Sequence, residues 1–268
     1  YSEFMYIWNE LTLSKGKKDG WDQLINTAGS IGASQTDPAQ NLYIPLEFWF
    51  CRNPGLALPL IALQYHDVKI NVEFEDKSGV VVGTGGAMSS CKIWVDYIYL
   101  DTDERRRFAQ LSHEYLIETL QFTGDESVSS NKASPKLSFN HPVKALYWLL
   151  KSGSAAHKHE FLDDVKTAKL MLNGQDRFAS REGKYFRTVQ PFQHHETTPA
   201  NTKGIFMYSF ALKPEEHQPS GTLNMSRIDT AVLQLETATI ASATLKVFAF
   251  GYNVLRIMSG MGGLAYSN

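Results

Sequence analysis

Cysteine is nearly missing: Cys51 and Cys91 are the only two in 268 residues, and they lie far apart. That excludes a disulfide framework and a cysteine-based zinc site, and it favours folding in a reducing, intracellular setting. Neither cysteine sits in a motif that would activate its thiol, so both are expected in packed cores. No sign of charge dominates: the formal net charge is −2, so the basic excess that grips nucleic acid is lacking. No apolar run approaches the roughly 20 residues of a membrane-crossing helix, and no signal peptide opens the chain. The Gly-x-Ser-x-Gly elbow of serine hydrolases is missing as well. No constellation argues for catalysis, and the chain reads as a non-enzyme without a cofactor. It opens at Tyr1 with no initiator methionine, in the middle of structured-looking sequence, as a piece of a longer polypeptide would.

What is present leans towards sheet. The 15 Phe, 12 Tyr and 5 Trp are residues whose flat rings pack well on a pleated surface, and a chain this long can bury about three quarters of its unfolded surface. Strands are expected over Tyr1–Leu13, where Phe4, Tyr6, Trp8 and Leu11 loosely alternate, and over Asn41–Phe50, Lys92–Leu100, Leu137–Leu150, Ile205–Leu212, Leu223–Leu235 and Leu245–Met258. The alternation is plainest in Leu60–Phe74: Val68, Ile70, Val72 and Phe74 stand against Asp67, Lys69, Asn71 and Glu73, the pattern of a half-buried strand. Val165–Leu172 alternates too and ends in Asn173-Gly174, a hairpin-turn pair. Ser14–Gly20, Trp21–Gln40, Asp76–Ser90 and Gly124–Lys136 read as polar turns and loops. Many strands with turns at short intervals place the chain in the all-β sandwich or barrel class.

One stretch, Asp101–Phe122, divides the strands into two groups. Thr102 can cap a short helix with Asp103 and Glu104 in its positively polarised first turn. Asp101/Arg105 and Asp103/Arg107 stand four apart and can pair along its surface. After it, Tyr115–Phe122 fits a strand with Leu116, Leu120 and Phe122 on one face, although a helix continuing through Leu120 also fits the spacing.

The candidate sites are sparse. His157 and His159 form the His-x-His pair that holds metal in cupin barrels, because alternate strand positions point to one face. Exposed histidines in a polar loop are the commoner reading, and a third ligand from His194-His195 would need adjacent residues to face one way. Gly83-Thr-Gly85-Gly86 lacks the Lys-Ser/Thr ending of a phosphate loop. Asp101, Asp103 and Glu104 form an acidic cluster, but three arginines follow at once. Asn224-Met-Ser226 is a formal glycosylation sequon, with Asn224 the possible acceptor.

Five runs taken together carry a resemblance: NPGLALPLIALQYHDVKINVEF at 53–74, the dividing stretch at 96–122, LSFNHPVKALYW at 137–148, PSGTLNMSRID at 219–229 and FGYNVLRIMSGMGGLAYSN at 250–268. In this order, and over nearly the whole chain, they resemble the major capsid proteins of nucleocytoplasmic large DNA viruses, the algal-virus branch best. The resemblance implies a double jelly roll, two tandem antiparallel β-sandwiches, with the first incomplete at its amino end. Residues 1–103 would be the C-terminal part of the first roll, 104–112 a linker, and 113–268 the second roll, opened by Glu114–Phe122 and closed by Leu245–Met258. It implies a structural subunit whose homotrimers form pseudo-hexagonal capsomers of an icosahedral shell. Its partners would be neighbouring capsomers and minor capsid proteins, near an internal viral membrane, with no direct contact to nucleic acid. Assembly would take place in the cytoplasm of the infected cell and the product would reside in the virion capsid. Jelly rolls also host sugar-binding modules and cupin-like metalloenzymes built on pairs such as His157 and His159, so a carbohydrate-binding module is the competing reading.

Overall fold

The computed structural model describes residues 1–25, 41–76, 88–153, 161–200, 203–238 and 242–266. Contacts group the chain into two compact units, Tyr1–Lys18 with Glu118–Asn253, and Asp19–Ile117 with Val254–Ser267.

The first residues form a helix, α1 (Ser2–Thr12), and not the expected strand. Phe4, Ile7, Trp8 and Leu11 fall at the i, i+3, i+4, i+7 spacing of one helical face, and all four are buried. That spacing overrides the looser alternation through Tyr6. Ser14–Gly20, expected as a solvated turn, belongs largely to a second helix, α2 (Lys15–Leu24).

Two antiparallel sheets form a sandwich that lies mostly in the first unit; residues 113–117 and 254–258 of its strands and all of Met261–Leu264 belong to the second. The strands of the sandwich are β1 (His113–Val128), β2 (Lys132–Ala133), β3 (Lys136–Leu137), β4 (Pro142–Ser152), β5 (Val165–Leu172), β6 (Gln175–Asp176), β7 (Arg181–Glu182), β8 (Ile205–Ser209), β9 (Leu223–Asn224), β10 (Ala231–Thr237), β11 (Ala243–Met258) and β12 (Met261–Leu264). One sheet runs β1-β11-β4-β8 and the other β2-β10-β5-β6. The neighbours β1/β11, β2/β10, β4/β8 and β5/β6 nest from the outermost pair of the chain to the innermost. A long hairpin rolled into two sheets has this order, which is that of a jelly roll.

The core lies between the sheets, with Leu146, Trp148, Leu170, Leu233, Leu245 and Val247 all buried in it. Burying each such side chain stabilises the fold by about 1.5–3 kcal/mol before conformational entropy is set against it. The opposite face of β4 is buried as well. Ala145, Tyr147 and Leu149 pack with Phe248, Phe250 and the apolar stripe of α1. This double covering explains why β4 reads as an unbroken apolar run rather than an alternating one. The rim of α1 is tied down by Lys246 on Glu3 (2.9 Å), Lys18 on Glu10 (2.7 Å) and Thr197 Oγ1 donating to the Leu13 carbonyl (2.7 Å).

Several expected elements stand where they were read. The β5–β6 turn holds Asn173 at φ 51° and Gly174 at φ 78°, both left-handed as a two-residue hairpin turn requires. The Ser259–Gly260 turn (φ 53° and 81°) joins β11 to β12. Leu223–Leu235 is broken, however: a 3₁₀ turn at Met225–Arg227 separates β9 from β10.

In the second unit the helix α4 (Thr102–Gln110) is capped by Asp101, not Thr102. The Asp101 carboxylate accepts from the Asp103 N–H at 2.8 Å, while Glu104 reaches back to the Asp101 N–H, a reciprocal capping box. The helix stops there, and the strand reading of the following residues holds as β1; the apolar face differs, since Ile117 is buried and Phe122 is 45% exposed. Asn41–Phe50 is no strand. It is extended up to Phe48, exposes Leu42, Tyr43 and Ile44, and ends in the helical turn α3 (Trp49–Arg52). Residues 66–76 and 88–100, within the expected strands Leu60–Phe74 and Lys92–Leu100, form neither helix nor strand among the described residues, and Val72, Phe74, Trp94 and Tyr99 are exposed. The half-buried strand expected from the alternation over Leu60–Phe74 is not formed, since burying one face requires a partner strand. A small core of Ala62, Leu63 and Ile257, with Tyr115 and Leu255 against it, holds this unit. The double-jelly-roll class therefore stands, with one sandwich complete and the first roll incomplete in the described residues.

Candidate functional site

The most unusual chemistry of the chain is inside the sandwich, and it begins with a bulge. Ala145 pairs with Phe250 and Val143 with Gly251, so β4 carries one extra residue, Lys144, between two paired ones. A bulge re-aims the side chain of the extra residue. The Lys144 carbonyl accepts from the Phe210 N–H at 2.8 Å and from the Ala211 N–H at 3.2 Å. Gly251 is required opposite it, because a Cβ there would collide with the Pro142 carbonyl.

Lys144 is fully buried. A buried ammonium costs several kcal/mol in lost hydration unless it is paired and solvated by the protein. Here Glu118 of β1 forms the ion pair, and the rings of Phe250 and Tyr252 lie 4.5 and 4.7 Å from the nitrogen, in range for cation–π attraction. Burial, then the Glu118 charge, pushes the Tyr252 phenol well above its ordinary range; its hydroxyl donates to the His217 carbonyl at 2.8 Å.

A second polar group adjoins. The π-turn Tyr185–Val189 runs into α5 (Gln190–His194), which places His195 just past its end. Gln190 fixes this segment: its amide oxygen accepts from the Ser209 N–H (3.0 Å) and its nitrogen donates to the Tyr185 hydroxyl (3.0 Å). His195 Nδ1 lies 2.6 Å from Glu215 Oε1, and Nε2 lies 3.1 Å from the Tyr147 hydroxyl. Glu215 also accepts from the Glu196 N–H at 2.9 Å. Burial lowers the His195 pKa below the usual histidine value, and the Glu215 hydrogen bond opposes that shift without cancelling it.

A carboxylate–imidazole pair is the working part of many general bases, but such a base must reach the proton it abstracts. The His195 side chain has no exposed surface, and both ring nitrogens are committed within the fold. The Lys144 ammonium is closed in by Glu118 and two rings. These groups can stiffen a sandwich; they offer no reacting atom to a substrate. An open, shallow recess beside Met258, Met261 and Leu264 is lined by one charged residue, Arg256, whose Nε is 2.7 Å from Glu114.

The residues singled out in the sequence are not brought together. His157, His159 and Gly83–Gly86 lie outside the described residues. Among the described residues no group of three or more His, Cys, Asp or Glu is placed to hold a metal ion. His194 Nδ1 lies 2.9 Å from the Leu212 carbonyl. The acidic cluster at 101–104 is occupied with capping. Cys51, in the helical turn α3, and Cys91 are both exposed rather than packed in cores. Asn224 is exposed, but both polar side chains of its sequon serve the turn. Asn224 Oδ1 accepts from the Ser226 N–H (3.1 Å), and Ser226 Oγ accepts from the His141 N–H (2.8 Å). His141 needs that support, because it sits at φ 63° in the corner before β4. The polar centre was missed in the sequence; its one signal was a lone lysine in the apolar run PVKALYWLL.

Comparison with known proteins completes the site's description. Residues 104–263 match the family described as large eukaryotic DNA virus major capsid protein, and residues 1–101 match the one described as major capsid protein N-terminus. The chain is 54% identical over 293 residues to the major capsid protein of Pyramimonas orientalis virus, covering 100% of this chain and 72% of that protein. It is 39% identical over 406 residues to the major capsid protein of Phaeocystis pouchetii virus, covering 100% and 78%. Among solved structures it is similar to the PBCV-1 virus capsid, with a TM-score of 0.77 and 35% identity over 100% of this chain and 80% of that one. Both alignments with the relatives are longer than the chain, so those proteins carry residues inside the matched span that have no counterpart here.

Proposed function

We infer the protein's role from the premise that the chain belongs to the large eukaryotic DNA virus major capsid proteins. It is a structural subunit of an icosahedral viral capsid. The observation that carries this is the 54% identity along the entire chain to a major capsid protein. The interior supports it physically: the buried charges are spent on rigidity, and a shell tile needs rigidity more than it needs a reactive group.

The finer reading follows the same line. Three copies associate into a pseudo-hexagonal capsomer, and capsomers meet their neighbours through many modest interfaces repeated by symmetry. Residues 1–103 contribute to the first roll, 104–112 with α4 form the linker, and 113–268 form the second roll. Exposed apolar stretches of this size mark association surfaces, so residues 92–99, with Trp94 84% and Tyr99 92% exposed, become covered on assembly. Minor capsid proteins and an internal membrane are the further partners, assembly takes place in the host cytoplasm, and the subunit is not an enzyme. Light scattering on a sizing column tests this reading. A species of three times the chain mass is expected, and a soluble monomer at every concentration would overturn it.

A further inference from the structure

Helix α1 meets the sheet beneath it through its buried apolar stripe. His195 stands at that contact. Its ring is 6.3 Å from Trp8 of α1, edge to face, and 5.8 Å from Tyr147 of β4. Tyr147 in turn packs edge-on against Phe4 of α1 at 5.8 Å. The Thr197 N–H, two residues further along, donates to the Leu11 carbonyl at 2.9 Å. The segment that carries the imidazole is therefore the one that closes over the end of α1.

We propose that His195 is an acid-sensitive latch: neutral, it keeps α1 seated on the β4–β11 face, and protonated, it loosens that seat. With a neutral ring, Nδ1–H donates to Glu215 and Nε2 accepts from the Tyr147 hydroxyl. A proton added at Nε2 turns that acceptor into a donor, so the buried phenol must reverse its hydrogen bond. The charges facing the ring make a second cation unwelcome. Lys144 of β4 is near enough to oppose it, and His194 does the same from its own segment. Glu215, from the 213–217 segment, is the anion that favours it, while Glu118 is taken by Lys144. The acids of α1 are engaged elsewhere, Glu3 with Lys246, and Glu10 with Lys18 and Lys203.

The sign follows from linkage. Burial holds the folded-state pKa of His195 below its unfolded value, so the unfolded or unlatched chain binds more protons. Stability is full above the unfolded value of about 6.5 and is lost as pH falls towards the folded value.

Hydrogen exchange of the full chain tests the latch. Between about pH 7.5 and pH 5, after correction for the intrinsic rate, residues 2–12 should lose several-fold in protection, while β5 and β10 stay unchanged. In His195→Gln that acid loss should vanish, and in Glu215→Gln, where the anion that favours the protonated ring is gone, it should be larger at pH 5. Equal protection of α1 at both pH values, or an undiminished acid loss in His195→Gln, would overturn the proposal. Should His195→Gln not fold, the wild-type His195 ring-proton titration must share its midpoint with the α1 amides; two separate midpoints would also overturn it.

Discussion

Two apolar runs of similar composition end in opposite places. Lys144–Leu150, KALYWLL, is fully buried in a strand, whereas Lys92–Leu100, KIWVDYIYL, forms no strand and is almost wholly exposed. The first has β11 on one side, β8 on the other, a facing sheet below and α1 above. The second has no ladder among the described residues. Composition and alternation alone do not make a segment a core strand; neighbours decide it. The relatives carry additional residues within the matched span.

The contrast can be broken most forcefully at the buried lysine. Lys144→Ala leaves Glu118 buried without its cation and should cost about 3–5 kcal/mol in urea unfolding. Replacing both partners, as Lys144→Met with Glu118→Leu, should recover most of that loss. Ile7→Ala opens a hole beneath α1 and should cost about 2–4 kcal/mol by the same measurement. Gly251→Ala forces a Cβ against the Pro142 carbonyl at the bulge and should cost about 1–3 kcal/mol. At the far end of the scale, Trp94→Ala should change the monomer's stability by no more than about 0.5 kcal/mol, yet weaken self-association in a concentration series of light-scattering measurements. A Trp94→Ala protein that unfolds several kcal/mol more easily would place 92–100 in a core and erase the contrast.

The sandwich itself was legible in the sequence. β4, β5 with its Asn173-Gly174 turn, β8 and β11 stand where alternation and turn chemistry put them, because each has partners that reward the pattern. α1 was misread because Phe4, Tyr6 and Trp8 happen to alternate, although Ile7 and Leu11 complete a helical stripe with Phe4 and Trp8. Asp101 rather than Thr102 caps α4, a shift of one position that depends on which side chain reaches Asp103. The polar centre was illegible for a different reason. Glu118, Lys144, His195 and Glu215 are scattered along the chain and meet only through the roll and the bulge. Family membership was readable from long ordered runs, which carry far more information than any short motif in this chain.

The most direct test compares hydrogen exchange in the dilute chain and in the proposed trimer. The account predicts that β4 and α1 are protected in both, and that amides at 92–99 exchange freely in the dilute chain and become protected on association. Protection at 92–99 that is already complete in the monomer, or still missing in the trimer, would contradict the claim that this surface is what assembly covers.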